Sequence, residues 1–180
     1  MVNLAPRRCV FFDRDGVLNQ SVVIDGKPYA PRSLEEFKVC PQAASATEYL
    51  HAKGYLLFVV SNQPDVGNGL VEKSLVESFN EAILEKMPIS KIYCCLHSQS
   101  EGCSCRKPGV GLFEQAFYEH LVSDFDGWMI GDRAIDMEAG RNIGLKTIFL
   151  DHGYRESEQP DDSMVDFAIS SLEELKQIII

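Results

Sequence analysis

Short apolar runs rich in β-branched and aromatic residues alternate with helix-period segments along nearly the whole chain. The runs are CVFF (Cys9 to Phe12), YLLFVVS (Tyr55 to Ser61), KIYCCL (Lys91 to Leu96), WMIG (Trp128 to Gly131), KTIFL (Lys146 to Leu150) and a short last one from Asp166 to Ile169. Between them lie four helical patterns: Ala43 to Lys53 closed by Gly54, Glu72 to Lys86 ending before Pro88, Leu112 to Leu121, and Ile135 to Asn142 closed by Gly144. Ser171 and Glu174 form a capping box ahead of a terminal helix. Continuously apolar strands are buried on both faces, and strand–helix alternation requires right-handed crossovers between parallel strands. The expected class is therefore α/β, a doubly wound parallel sheet. With 45% of 180 residues apolar, one core fits and a second does not, so residues 1–180 read as one domain.

Two segments break the alternation. Gln20 to Pro41 holds three prolines, with a helical hint only at Ser33 to Glu36, and Cys94 to Gly109 packs four of the six cysteines into one loop. Both follow strand ends, where open α/β sheets bind ligands. A net charge of -10 repels polyanions, which argues against nucleic acid and anionic membrane as partners, so an anionic ligand must be met by a few placed cations. Met1 to Cys9 has no apolar run behind its arginines long enough for a signal peptide, and no stretch approaches the roughly 18 apolar residues of a membrane span. A cytoplasmic, monomeric protein is expected. Clustered cysteines in a reducing compartment point to metal or redox chemistry rather than disulfides.

Four motifs carry chemistry. In VFFDRDGVLN, Asp13 and Asp15 alternate to one side just past the first strand, and Gly16 permits a sharp turn. Such a carboxylate pair suits a hard cation such as Mg²⁺, although an Asp-rich turn would read the same way. Ser61 and Asn62 leave the second strand with a hydroxyl, an amide and backbone N–H groups that can bond phosphate oxygens; Ser-Asn pairs also simply start turns. In MIGDRAID, Asp132 ends a strand and Asp136 follows four residues on, a placement that helix capping alone would also explain. Finally, Cys95-x-His97 and Cys103-x-Cys105 offer three thiolates and one imidazole, the set for a closed, structural zinc. Arg106 and Lys107 follow directly behind the last cysteine, so a zinc clip would hold two cations at a fixed place to meet an anionic substrate.

Together and in this order the four motifs resemble the haloacid-dehalogenase-like phosphatases, whose fold is a Rossmann-like sheet. DRDGVLN, SNQ, C-x-H, C-x-C-RKP and GDR are similar to the branch of heptose-bisphosphate 7-phosphatases and histidinol-phosphate phosphatases. The resemblance implies Asp13 as nucleophile forming an aspartyl-phosphate, and Asp15 as acid to the leaving alcohol and then base to water. It implies Mg²⁺ on Asp13, the Asp15 carbonyl and Asp132, and a phosphoryl group held by Ser61, Asn62 and Lys107. Asn19, Gln63, Arg106 and Arg133 are expected to meet the rest of the substrate, and Asp136 to stand behind the magnesium. No large cap insertion separates the motifs, so short loops must shape a pocket for a small substrate. The loop after SNQ lacks the basic residue frequent in the family, and Gln20 to Arg32 differs from the family's shorter His- and Tyr-bearing loop, whose contacts Lys27 and Arg32 would partly replace.

The implied reaction is removal of the C7 phosphate of D-glycero-D-manno-heptose 1,7-bisphosphate, with histidinol phosphate or another small sugar phosphate as the alternative. A non-enzymatic zinc-binding interaction module would explain the cysteines but leaves three acidic strand ends without a role. A thiol redox protein calls for C-x-x-C, which is absent.

Overall fold

The computed structural model describes residues 8–122, 126–155 and 159–180. The first seven residues, most of the segment inspected above for a leader, lie outside them. β1 (Cys9–Phe12) is followed by β2 (Val22–Ile24), β3 (Lys27–Tyr29), α1 (Ala43–Ala52) and β4 (Leu56–Asn62). Then come the one-turn α2 (Pro64–Gly67), α3 (Lys73–Lys86), β5 (Lys91–Cys95), α4 (Gly111–His120) and β6 (Gly127–Gly131). α5 (Ala134–Asn142), β7 (Lys146–Leu150), β8 (Phe167–Ile169) and α6 (Leu175–Ile178) complete the order.

Six strands form one sheet in the order β5-β4-β1-β6-β7-β8, with every neighbouring pair parallel. Side chains alternate between two apolar layers. Val10, Phe12, Leu57, Val59 and Ile130 face the layer of α1 and α6, while Cys9, Phe11, Phe58, Val60 and Met129 face the layer of α4 and α5. That alternation is why the strands read as unbroken apolar runs. From β1 the chain builds outward through β4 and β5, then returns to the other side of β1 with β6. The carboxyl ends of β1, β4 and β6 therefore meet at a switch in strand order, the place where such sheets bind ligands.

The Gln20 to Pro41 segment differs from expectation. The helical hint at Ser33 to Glu36 is only a turn, and the preceding residues form an antiparallel hairpin of β2 and β3. Asp25 and Gly26 join its strands with φ of 52° and 84°, the two left-handed residues of a tight hairpin turn. The Asp-Gly pair was a legible signal, masked by Pro28, which is confined to edge strands of this kind.

Candidate active site

Asp13 follows β1 directly, and its N–H donates to Ile130 O at 2.9 Å, which seats it between β4 and β6. The chain then turns on itself: Arg14 O accepts from the N–H groups of Leu18 and Asn19 at 2.9 and 3.0 Å. Gly16 adopts φ of 93°, and a Cβ there would collide with the Asp132 carboxylate. Glycine at this position is thus required twice, by conformation and by space.

The Lys107 ammonium is buried between two acids. Nζ donates to Asp13 Oδ1 at 2.8 Å and to Val60 O at 2.7 Å, and lies 2.7 Å from Asp136 Oδ1. Two of its N–H groups thus donate to protein oxygens, while Asp136 Oδ1 is an ion-pair neighbour outside hydrogen-bonding geometry. Asp136 also accepts from Arg133 N through Oδ2 at 3.1 Å, which ties it to the start of α5. Burial works against the Lys107 cation, but Asp13 and Asp136 outweigh it and raise its pKa. Burial likewise pushes Asp13 up to about 6, against the pull of Lys107 and helped by Asp136 and Asp15. The two partners move the same way because Lys107 faces several acids while Asp13 faces one cation.

Asp132 is 2% exposed, and neither of its carboxylate oxygens meets a donor in hydrogen-bonding geometry among the described residues. Its pKa is raised by burial, then by Asp13 and Asp136. The half-buried Tyr154 phenol is near enough that burial first, and Asp132 second, raise its pKa too. Oxygens of Asp13, Asp132 and Asp136 lie within 4.8 Å of one another. Three buried carboxylates around one ammonium leave negative charge uncompensated, the condition that a divalent cation relieves.

The side chain of Asp15 is not in this group. Its Oδ1 accepts from Asn19 Nδ2 at 3.0 Å and from Arg14 Nη2 at 3.1 Å, and its Oδ2 from Gln63 Nε2 at 2.6 Å. Gln63 Nε2 donates its other hydrogen to Ser61 Oγ at 2.8 Å. Asn19 is fully buried and also donates to Gln20 O at 3.1 Å. The side-chain N–H groups of Asn19 and Gln63, residues expected to meet substrate, are committed to Asp15, Ser61 and the local turn. The Asn62 side-chain amide in turn bonds the main chain of Lys107 on both sides. Asp136, expected behind the metal position, stands in the carboxylate group itself.

Cys95, His97, Cys103 and Cys105 come together as expected, all four ligand atoms within 4.8 Å. The Sγ atoms of Cys95 and Cys105 lie 3.5 and 3.4 Å from that of Cys103, and His97 Nδ1 is 3.2 Å from Cys105 Sγ. A disulfide needs about 2.05 Å; a tetrahedron around a metal with bonds of about 2.3 Å has edges close to those seen. Burial pushes Cys95 up to about 12. At Cys103 burial acts the same way but is outweighed by hydrogen bonds from Cys105, the Arg106 backbone and Cys95, which bring it down to about 7. The Arg106 N–H aimed at Cys103 links the cluster directly to the two cations behind it.

A cavity of about 370 Å³ opens over this arrangement. Asp13, Asp15 and Lys107 line its floor, and Lys27, Arg32, Arg106 and Arg133 its walls. Arg32 is held by Asp65 at 2.7 Å, and Arg133 Nη1 reaches Pro28 O only at 3.5 Å. Arg106 Nη1 is buried with no hydrogen-bond partner among the described residues. Sequence reasoning passed over Arg14, wholly buried beside Asp15, and His152, whose Nε2 donates to Gly16 O at 2.6 Å from just beyond β7. The signals were a charged residue between two motif aspartates and a His-Gly-Tyr at a strand's carboxyl end.

Comparison with known proteins follows the same lines. A family model described as HAD-hydrolase-like matches residues 104–175. The chain is 34% identical over 148 residues to a D-glycero-alpha-D-manno-heptose-1,7-bisphosphate 7-phosphatase of Campylobacter jejuni, covering 79% of this chain and 81% of that one. It is 31% identical over 153 residues to a D-glycero-beta-D-manno-heptose-1,7-bisphosphate 7-phosphatase of Helicobacter pylori, covering 82% and 84%. A crystal structure of D,D-heptose 1,7-bisphosphate phosphatase from B. bronchiseptica, complexed with magnesium and phosphate, superposes with a TM-score of 0.79 at 20% identity over 96% of this chain and 97% of that one. Among the described residues no helix is long and apolar enough to cross a membrane.

Proposed function

This chain belongs to the haloacid-dehalogenase-like hydrolases and is a phosphatase, and from its site we propose that it removes the C7 phosphate of a D-glycero-D-manno-heptose 1,7-bisphosphate. The observation that carries this reading is the placement of Arg106. Arg106 lines the same cavity as the Asp13–Lys107 pair and keeps a buried Nη1 without a partner among the described residues, so one pocket offers a reacting centre and a second anion-binding point. A substrate with two phosphates fits that arrangement. Relatives named for the alpha and the beta anomer match about equally, so the anomer is left to assay.

In the proposed reaction Asp13 attacks phosphorus, the bond to the sugar oxygen breaks, and Asp15 gives that oxygen its proton. Asp15 then takes a proton from water as the water attacks the aspartyl-phosphate, which releases phosphate and restores Asp13. Lys107 stands against Asp13 where charge accumulates on the transferring group. Ser61 accepts from Gln63, so its own hydrogen remains for a phosphoryl oxygen. Asn62 contributes by fixing the Lys107 main chain. Asp13 and Asp132, with the Asp15 carbonyl, would hold Mg²⁺, and Asp136 stands beside them as an ion-pair partner of Lys107. The unpaired Asp132 oxygens fit that role. A bound Mg²⁺ would neutralise phosphoryl charge and orient the group for in-line attack.

The thiolate–imidazole cluster would hold a structural Zn²⁺ that orders residues 95–105 and so fixes Arg106 and Lys107. Residues 1–180 act as one domain in this reading, with a small phosphorylated sugar as the partner. Phosphate release from sugar bisphosphates, sugar monophosphates and histidinol phosphate, with and without Mg²⁺, tests it. The heptose bisphosphate should be preferred and Asp13→Asn should abolish turnover while the fold is kept. Preference for histidinol phosphate would replace the substrate, and full activity of Asp13→Asn would remove the mechanism.

A further inference from the structure

Arg14 separates the two motif aspartates in sequence, and its guanidinium is 0% exposed. A buried guanidinium is costly to desolvate and persists only where its donors are matched. Here they are. Nη2 lies 3.1 Å from both oxygens of Asp15, and Nη1 donates to Asn80 Oδ1 on α3 at 3.0 Å. The guanidinium carbon sits 5.6 Å from the centre of the Phe79 ring, which stacks at 4.5 Å on Phe37. The side chain is thus anchored at its far end and along its face.

Asp13 and Asp15 stand two residues apart, yet only Asp13 joins the carboxylate group with Asp132 and Asp136. Asp15 keeps a side-chain exposure of 12% and lines the cavity, whereas Arg14 does not reach it. Asn19 and Gln63 also bond Asp15, but as neutral amides; without the guanidinium the carboxylate would be drawn toward the cation-binding side of the site, leaving the departing oxygen without a well-placed proton donor. We propose that Arg14, braced by Asn80, is a positioning residue for the acid–base step: it keeps Asp15 out of the carboxylate group and turned to the leaving-group side of the cavity. It touches no substrate and acts only through Asp15. This rests on the aspartyl-phosphate reading above.

The test is leaving-group dependence with Mg²⁺ present, using nitrophenyl phosphate, phenyl phosphate and an alkyl phosphate. A good leaving group needs little protonation, so misplacing the acid harms the alkyl ester most. Arg14→Met should widen the nitrophenyl-to-alkyl ratio of kcat by at least about tenfold, a fraction of what general acid catalysis commonly contributes. Asn80→Ala keeps the guanidinium but frees its end, and should widen the ratio in the same direction by less; it serves if Arg14→Met does not fold. In an Asp15→Asn background neither change should widen the ratio further. Parallel losses on all three esters, or no loss, would overturn the proposal while leaving the phosphatase reading intact. Failure of Asp15→Asn itself to change the ratio would overturn both.

Discussion

The side-chain amide of Asn62 clasps the main chain of Lys107: Nδ2 donates to Lys107 O at 3.1 Å, and Lys107 N donates to Oδ1 at 3.0 Å. One residue at the end of β4 thereby fixes another that lies 45 positions later and carries the buried ammonium of the site. Asn62→Ala should keep the fold but loosen Lys107, and kcat/KM should fall by about tenfold to a hundredfold, the range a small misplacement produces. Asn62→Asp retains the acceptor for Lys107 N and loses the donor, so it should fall between. Steady-state kinetics on one phosphate ester check this, and an unchanged kcat in Asn62→Ala would show that Lys107 is held by its ion pairs alone.

The sulfur cluster should bind about one zinc per chain, measurable by elemental analysis of protein prepared without chelator. Cys103→Ser should lower that content, raise KM and reduce kcat, because Cys103 receives the Arg106 backbone N–H and Lys107 is the next residue. Thermal unfolding of the sheet should shift far less than activity does. Metal-free protein with unchanged kinetics would detach the loop from catalysis.

Arg106→Ala should remove the preference for a bisphosphate while sparing an aryl monophosphate, since the residue lines the cavity and its buried Nη1 has no partner among the described residues. A loss of at least about tenfold in kcat/KM for the bisphosphate corresponds to about 1.4 kcal/mol of transition-state binding. Equal depression of both esters would place Arg106 with Lys107 in the phosphoryl cradle.

Away from the site, Glu119 on α4 receives Lys91 Nζ at 2.6 Å and Tyr93 Oη at 2.8 Å from β5, the first strand of the sheet order. The Lys91 ammonium first, then Gln115 and Tyr93, lower its pKa from 4.5 to about 2. A depressed carboxylate stabilises the folded state above its unfolded pKa and loses that contribution as pH falls toward the folded value. The melting-temperature difference between the native chain and Glu119→Gln should therefore be constant above about pH 5.5 and shrink below 4.5. A difference that grows on acidification would contradict the assignment.

Much of this architecture is set by periodicity. β1, β4, β5, β6 and β7 and the helices α1, α3, α4 and α5 fall within a residue or two of the apolar and helix-period runs, because strands buried on both faces and helices with one buried face leave unmistakable patterns. Asp13, Asp132, Lys107 and the four zinc-type ligands were legible for a related reason. Each is a residue type whose chemistry is specific, standing at a strand end or in a tight spacing. Tertiary structure decided which polar groups face one another. Asn19, Asn62 and Gln63 all carry amides that suit a substrate equally well, yet Asn62 meets the Lys107 main chain and Gln63 meets Asp15 across 45 and 48 positions, and local contacts with Asp15 and Ser61 occupy Asn19 and Gln63 as well. Arg14 reads as an ordinary charged residue until α3 closes over it with Asn80 and Phe79. A hydrogen bond depends on the separation of two groups to a fraction of an ångström, and that separation is fixed by packing across the sheet rather than by neighbours along the chain.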